Sequence, residues 1–507
     1  MEAQSVKPKE FCVLRKSLAI AGFFCLILPA VAYGETAPVD CELLMAWMTG
    51  GISGHQLDHL LQVRSIDFVV QGNSNEPPAK TLLAAGADGK LIQTLRAMHS
   101  SPASGSDLAR KNSNCSIRLT SAAQLAHQKS FPQAEKILRS LLVEEPQNPA
   151  LHFALGYVRQ QQQDWDQAFD EYSTSKELDP AFSEVHSRLA YVFYQSDDGD
   201  NAIAEARTAL SIDPQNAEAY RFLGLGLYAN AQYQAALHAF QESLGRDPQN
   251  ADVYYDMGIA AHDMGDSNAA AAAYRKAIRL NSQFWEAHSN LAMVLHDLGK
   301  LEEAVVQYRE AKRLAPREPS VRNNLGNTYY DQGDYDSAIL EFRELFRIAP
   351  EWQRGHDYLA KAFMAKKAYP SAIAELKLAI VQNPTGPVEH RVLGQVFLLT
   401  NQPGAALREL RIAVGLDPDS AMAHRYLGTA LFETHDLESA ATEFRQALRL
   451  EPSADNHYYL AACLMSLGRD QEALAELQIA STLNPTQTLY RARMDELRKV
   501  IESSSVR

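Results

Sequence analysis

The stretch from Pro319 to Pro350, PSVRNNLGNTYYDQGDYDSAILEFRELFRIAP, decides the fold. Displaced by 34 residues in either direction, the pattern keeps matching. Alanine stands at 134, 168, 202, 236, 270, 304, 338, 372, 406 and 440, then at 473 after one deleted residue. Proline stands at 146, 180, 214, 248, 316, 350, 384, 418, 452 and 485, and only Ser282 interrupts that series. Eleven repeats run from about Cys115 to Thr486.

Within the quoted unit, two apolar stripes at helical spacing flank a short turn. This predicts helices over about Val321–Asp331 and Tyr335–Ile348. Gly333, in the turn, suits the left-handed conformation that ends a helix, and Gly265, Gly299 and Gly468 hold the same place in their units. The first helix carries a small residue at one position: Ala122, Gly156, Ala190, Gly224, Gly258, Ala292, Gly326, Ala360, Gly394, Gly428 and Ala461. The recurring alanine of the second helix is expected to face it, because a larger side chain at either place would overpack the crossing. The proline cannot continue the second helix. One pair cannot bury its apolar face alone, so neighbours must stack into a continuous core. The irregular first repeat and a polar helix over about Gln487–Ser503 read as caps.

The period of 34, with Leu-Gly, then Ala, then an aromatic, then Pro, resembles the tetratricopeptide repeat. The resemblance implies an all-α fold, a right-handed α-solenoid superhelix of helix-turn-helix units. Its first helices would line a concave groove in which extended peptides or partner helices lie. Helical spacing then places Phe153, Tyr157, Tyr191, Tyr194, Tyr228 and Tyr255 there in repeats two to five. In repeats seven to ten it places Asn323, Asn327, Tyr330, Arg354, Lys361, Arg391 and Arg425 there. The aromatic half offers flat apolar area of the kind that interface cores are enriched in. The basic half suits a carboxylate or phosphate, with Arg bidentate. Against both stands the plainer reading that these are common repeat residues packing on the next unit. Some repeat domains of this kind hold the C-terminal carboxylate of chaperones with Lys and Asn on three first helices. Asn290 and Asn324 could supply amides here, but the flanking lysines are missing, so that function is not carried over.

Histidine recurs at one place in the first helix, at 152, 186, 288, 356, 390, 424 and 457, and Tyr220 and Tyr254 hold that place elsewhere. It reads as a site for a large packing ring. Neighbours one repeat apart, about 8–10 Å, are too distant to share a metal whose ligands sit about 2 Å away.

Residues 1–32 carry Lys7, Lys9, Arg15 and Lys16, an apolar run over about Leu18–Leu28, and then Pro29-Ala30-Val31-Ala32. That is the layout of an export signal cleaved after Ala32, with an uncleaved anchor as the alternative. The run falls short of the roughly 20 apolar residues a spanning helix needs, and no second run is long enough, so no span is expected in the mature chain. The expected location is periplasmic or extracellular. The formal net charge is −14, nothing suggests a basic nucleic-acid surface, and the acidity suits solubility of a long exposed array. Residues 38–98 do not follow the template. They hold a faint duplication, GISGHQLDHLLQV from Gly51 against GADGKLIQTLRAM from Gly86, read as a small helical bundle. His55 and His59 are four apart on one helix, but no third ligand accompanies them. Residues 99–112 read as a flexible linker, 113–486 as the repeats, and 487–507 as a capping helix and tail. Cys41 and Cys115 bracket the bundle. They could pair in an oxidising compartment, although two free thiols is the favoured reading. Cys463 reads as a small buried residue.

The sequence holds no H-E-x-x-H, G-x-S-x-G or G-x-x-x-x-G-K-[ST] motif, and no cofactor or metal is expected. The reading is an exported, non-enzymatic scaffold that binds a partner protein or peptide in the groove. Binding of a glycan or another envelope polymer by the aromatic half is the alternative.

Overall fold

The computed structural model describes residues 39–63, 66, 79–99, 116–352 and 355–505. The expected export signal, the 99–112 linker apart from His99, Cys115 and Arg354 lie outside these residues. Among the described residues there are 27 helices and no strand, only an isolated bridge between Val39 and Ile66. No helix among them is long and apolar enough to cross a membrane. The chain divides into two compact units, one ending at Val294 and one beginning at Leu295.

The first unit opens with α1 (Cys41–Thr49), α2 (Gly54–Val63), α3 (Ala79–Ala84) and α4 (Gly89–His99). Helices α2 and α4 fall on the two copies of the duplication. Each follows a glycine at positive φ, Gly51 at 72° and Gly86 at 104°. Each starts at a capping side chain, Ser53 accepting from Gln56 N and Asp88 accepting from Leu91 N. Asp58 on α2 pairs with Lys90 on α4 at 2.9 Å. The helix pairs follow: α5 (Ile117–His127) with α6 (Phe131–Glu144), α7 (Pro149–Gln161) with α8 (Trp165–Leu178), and α9 (Ser183–Gln195) with α10 (Gly199–Ile212). Next come α11 (Ala217–Ala229) with α12 (Tyr233–Arg246) and α13 (Ala251–Asp263) with α14 (Ser267–Leu280). The unit boundary falls inside α15 (Trp285–Asp297).

The second unit continues with α16 (Leu301–Leu314) and then the quoted repeat, α17 (Pro319–Gln332) with α18 (Tyr335–Ile348). It runs on through α19 (Gly355–Ala365) with α20 (Tyr369–Gln382), α21 (Pro387–Leu399) with α22 (Pro403–Leu416), and α23 (Ala421–Glu433) with α24 (Leu437–Leu450). The last pair is α25 (Ala454–Ser466) with α26 (Asp470–Leu483), followed by α27 (Thr488–Ser505).

Gly333 ends α17 at φ 82°, as its place in the turn predicts. Seven other units make the same left-handed turn with a side chain present: Lys129, Gln163, Asp197, Ala231, Lys367, Asn401 and His435, at φ 56–64°. Each of these turns carries local strain of about 1–2 kcal/mol, and the packing of the helices it joins sustains it.

The small residue of the first helix faces a different neighbour from the one expected. A Cβ on Gly326 would come within 2.5 Å of Phe342, one on Gly258 within 2.4 Å of Tyr274, and one on Gly224 within 2.4 Å of Phe240. The nearest atoms belong to the side chain sixteen residues on, not to the recurring alanine. In four of the five alanine units that residue is Leu or Ala (138, 206, 376 and 477). Glycine complements a ring in five of its six units, and in the sixth Gly394 faces Leu410, as close packing allows.

The recurring histidines are also more than packing rings. His152, His186, His356, His390, His424 and His457 each place Nδ1 2.5–2.8 Å from the glutamate nineteen residues on, at 171, 205, 375, 409, 443 and 476. In four of them Nε2 meets the carbonyl of the proline six residues back, at 146, 180, 384 and 418. Arg322 does both jobs in its repeat, with Glu341 at 3.0 Å and the Pro316 carbonyl at 3.2 Å. Where Tyr220 takes the place, position 239 is alanine, and Arg246 stacks 4.0 Å over the ring and reaches the Pro214 carbonyl. The proline carbonyl has no helical partner, and in these repeats a side chain satisfies it. The bridge ties the two helices of a repeat to the end of the repeat before.

Cys41, expected as a free thiol, is disulfide-bonded, and its partner lies outside the described residues. Among the described residues Cys463 is free and buried. The side chain of His55 also lies outside the description. His59 makes a 3.2 Å contact with Asp213, and no group of three metal-ligating side chains occurs among the described residues.

Candidate functional site

In the first unit, the aromatic face of the first helices is already occupied. Helix α1 lies against α5 and α7. Trp47 stacks on Phe182 at 5.6 Å, and Phe153 meets Phe182 edge-on at 5.1 Å. The turn after α1 fits because it has no side chains. A Cβ on Gly50 would lie 2.4 Å from Phe153, and one on Gly51 2.3 Å from Tyr157. Arg188 donates to the Gly51 carbonyl at 3.2 Å, sits 5.4 Å over the Tyr157 ring, and pairs with Glu218 at 3.1 Å. Helix α2 adds Gln56 donating to Glu218 and His59 against Asp213.

The six aromatics proposed for a ligand are therefore committed within the chain. Phe153 and Tyr194 are fully buried and Tyr255 nearly so. Tyr157 lies under the Gly50–Gly51 turn. Tyr191 packs on Phe222 at 5.0 Å and on Trp165 at 6.0 Å. Tyr228 donates to Asp263 at 2.5 Å, and Tyr255 packs on Phe284 at 4.8 Å while accepting from Asn290. Burial pushes the Tyr157, Tyr191, Tyr194 and Tyr255 phenols above their ordinary pKa, so they stay neutral. Beneath this packing lies Glu184 in the first turn of α9, only 2% exposed. Burial raises its pKa to about 7, and the Ser183 hydroxyl donating to it works the other way.

In the second unit the residues divide. Asn323 is buried and donates to Asn324 at 3.2 Å, and Asn327 is also buried. Both are core amides, not exposed lining, because the close crossing of α17 with its neighbours leaves no room for a ligand there. Tyr330 is partly exposed beside Tyr335 at 5.4 Å. Lys361 is partly exposed, its ammonium 5.6 Å from the Tyr358 ring. Arg391 and Arg425 occupy the same place in α21 and α23. Arg425 lies over Tyr426 and Tyr459 and stands 4.0 Å from Asp455. The sequence reading did not single out the apolar side chains beside them. Val388 is 51% exposed, Leu399 53% and Met422 43%. Val388 and Met422 each precede an arginine by three residues, which places each pair on one helix face.

Models described as tetratricopeptide repeat match residues 187–251, 221–262, 323–387, 391–455 and 428–487, and further such models match 251–284 and 273–306. A model described as TPR repeat matches 293–333. Together they match more than half of the 507 residues. No curated protein sequence matches the chain. Among solved structures it is similar to the APC/C hetero-tetramer Cut9-Hcn1, at 19% identity and TM-score 0.43 over 75% of this chain and 72% of that one. It is similar to yeast Tom70 at 16% identity and TM-score 0.35, over 76% and 94%. It is also similar to YrrB, described as a TPR protein with an unusual peptide-binding site, at 23% identity and TM-score 0.32, over 39% and 97%.

Proposed function

As this chain belongs to the tetratricopeptide-repeat family, we propose that it is a protein-interaction scaffold. It binds a segment of a partner protein in the groove lined by the first helices of its second unit. The observation that carries this reading is a contrast between two faces. The first-helix face of repeats one to four is covered by the chain's own α1 and α2. The same face of repeats nine and ten leaves Val388, Leu399 and Met422 exposed beside two arginines. Exposed apolar side chains next to charge are what a protein partner can cover. The polymer-binding alternative rested on the aromatic half, whose rings are engaged internally. The bridges of the repeats serve stacking, which supports a non-enzymatic role.

A photo-cross-linking side chain at Met422 is expected to give one discrete protein adduct in cells. One at Leu378, exposed on a second helix, is expected to give none. The adduct should be reproduced with the captured protein purified. Equal capture at both positions, or none at 422, would overturn the reading.

Export is part of the proposal, supported by the basic stretch, apolar run and small residues before Tyr33. The mature chain is expected to begin at Tyr33 and to fractionate with the periplasm or medium, checked by intact mass. A full-length chain in the cytoplasm would exclude it.

A further inference from the structure

Three arginines occupy the same place in their first helices, Arg221, Arg391 and Arg425. For each, the next repeat offers side chains 31 and 35 residues on, less one where the last repeat is shortened. Arg221 meets Asp256 at 2.7 Å and Asp252 at 3.4 Å. Arg425 has Asp455 at 4.0 Å. Arg391 has Met422 and Tyr426 in those places, and its polar contact is the Met422 Sδ at 3.1 Å. Among the described residues no carboxylate pairs with it. A thioether is a weak acceptor, so this half-buried guanidinium has no charged acceptor among the described residues.

We infer that Arg391 receives a carboxylate from outside the chain, an Asp or Glu side chain of the partner segment, with apolar residues beside it covering Val388 and Met422. This rests on the groove reading above and names the partner's chemistry. The segment supplies the counter-charge that Asp252 and Asp256 supply in the fourth repeat's case. Burial, and then the like charge of Arg425, hold the Arg391 pKa below its ordinary value, while Tyr426 and Asp417 act the other way. A cation so placed is relieved by an incoming anion. A guanidinium that no carboxylate pairs with among the described residues favours acidic segments by complementarity.

The test is an array of ten-residue peptides, with acidic, amide and phosphoserine versions of each sequence, probed with the full chain. Three forms are compared: unaltered, Arg391→Gln, and Met422→Asp. The last keeps the arginine and supplies an internal carboxylate, as Asp252 does for Arg221. The unaltered chain is expected to prefer Asp or Glu next to an apolar residue over the amide version by about tenfold. Both variants should lose that preference while keeping the helical circular dichroism, and Arg391→Gln, which leaves Val388 and Met422 in place, should keep weak binding to the apolar residues. An acid preference that survives in both variants, binding indifferent to acid, or a phosphoserine preference well above Glu would overturn the inference while leaving the groove reading standing. No peptide binding by the unaltered chain would overturn both.

Discussion

Glu184→Gln is expected to stabilise the first unit by about 2 kcal/mol at pH 8 and to leave it nearly unchanged at pH 5. Glu184 is 2% exposed, and burial lifts its pKa from 4.5 to about 7, with the Asp213 and Glu218 charges adding to the lift. The guanidinium of Arg188 is already engaged with Glu218. A carboxyl group with a folded pKa above its unfolded one binds its proton more tightly in the folded state. Its contribution is therefore fully present below the unfolded value of 4.5 and is lost as pH rises through about 7. The loss is on the order of 2–3 kcal/mol at full ionisation. Glutamine has nearly the same shape and cannot ionise, so it removes the ionisation loss. His152 adds a smaller dependence of the same sign. Its hydrogen bond to Glu171 raises its pKa against the opposing effect of burial, so its contribution is present below 6.5 and fades as pH rises through the folded value. Comparing the variant with the unaltered chain cancels that term. Urea unfolding followed by tryptophan fluorescence reads the first unit mainly, since Trp47, Trp165 and Trp285 lie in it. A variant equally destabilised at both pH values would mean that the carboxylate is ionised and holds the structure.

The repeat architecture was legible because its signals are local and recur at a fixed spacing. The small residue, the alanine and the proline return every 34 positions, and one unit read correctly reads the rest. What escaped is what crosses between elements. The left-handed turn was legible at Gly333 but not at Ala231 or Lys367, whose propensities speak against it; tertiary packing overrides them. Glutamate follows histidine or arginine by nineteen residues in seven repeats, glutamine follows His288, and alanine follows tyrosine at 220 and 254. That covariation lies open in the sequence, yet periodicity along one helix cannot show a pair that joins two helices. The aromatic face was placed correctly on the first helices. Nothing in helical spacing says that Trp47 and the Gly50–Gly51 turn, more than a hundred residues before Phe153, would cover it. Arg391 was legible as a first-helix residue. That it lacks the carboxylate given to Arg221 emerges only when one repeat is laid against another.

The second large effect is expected at Glu341. Its carboxylate is 5% exposed and takes Lys312 Nζ at 2.6 Å from α16 and Arg322 Nη1 at 3.0 Å from α17. Glu341→Ala is expected to cost about 3–4 kcal/mol, because it leaves a poorly solvated guanidinium without its counter-charge. Lys312 is less affected, since its side chain is 28% exposed and can reach water along its stem. Most of the cost is therefore the stranded Arg322, not the lost attraction, and the chain itself supplies the control. In the fourth repeat the same two places hold Tyr220 and Ala239, an uncharged pair in the same fold. The double variant Arg322→Tyr with Glu341→Ala copies that pair and is expected to recover at least half of the loss, by roughly 1.5–2 kcal/mol of coupling. Hydrogen exchange of peptides from α17 and α18 reads the effect locally. A double variant no better protected than Glu341→Ala alone would mean that the glutamate acts through the packing of its stem. Full protection in the single variant would mean that solvent already screens the pair, and that the bridge repeated along the array orders the helices without stabilising them.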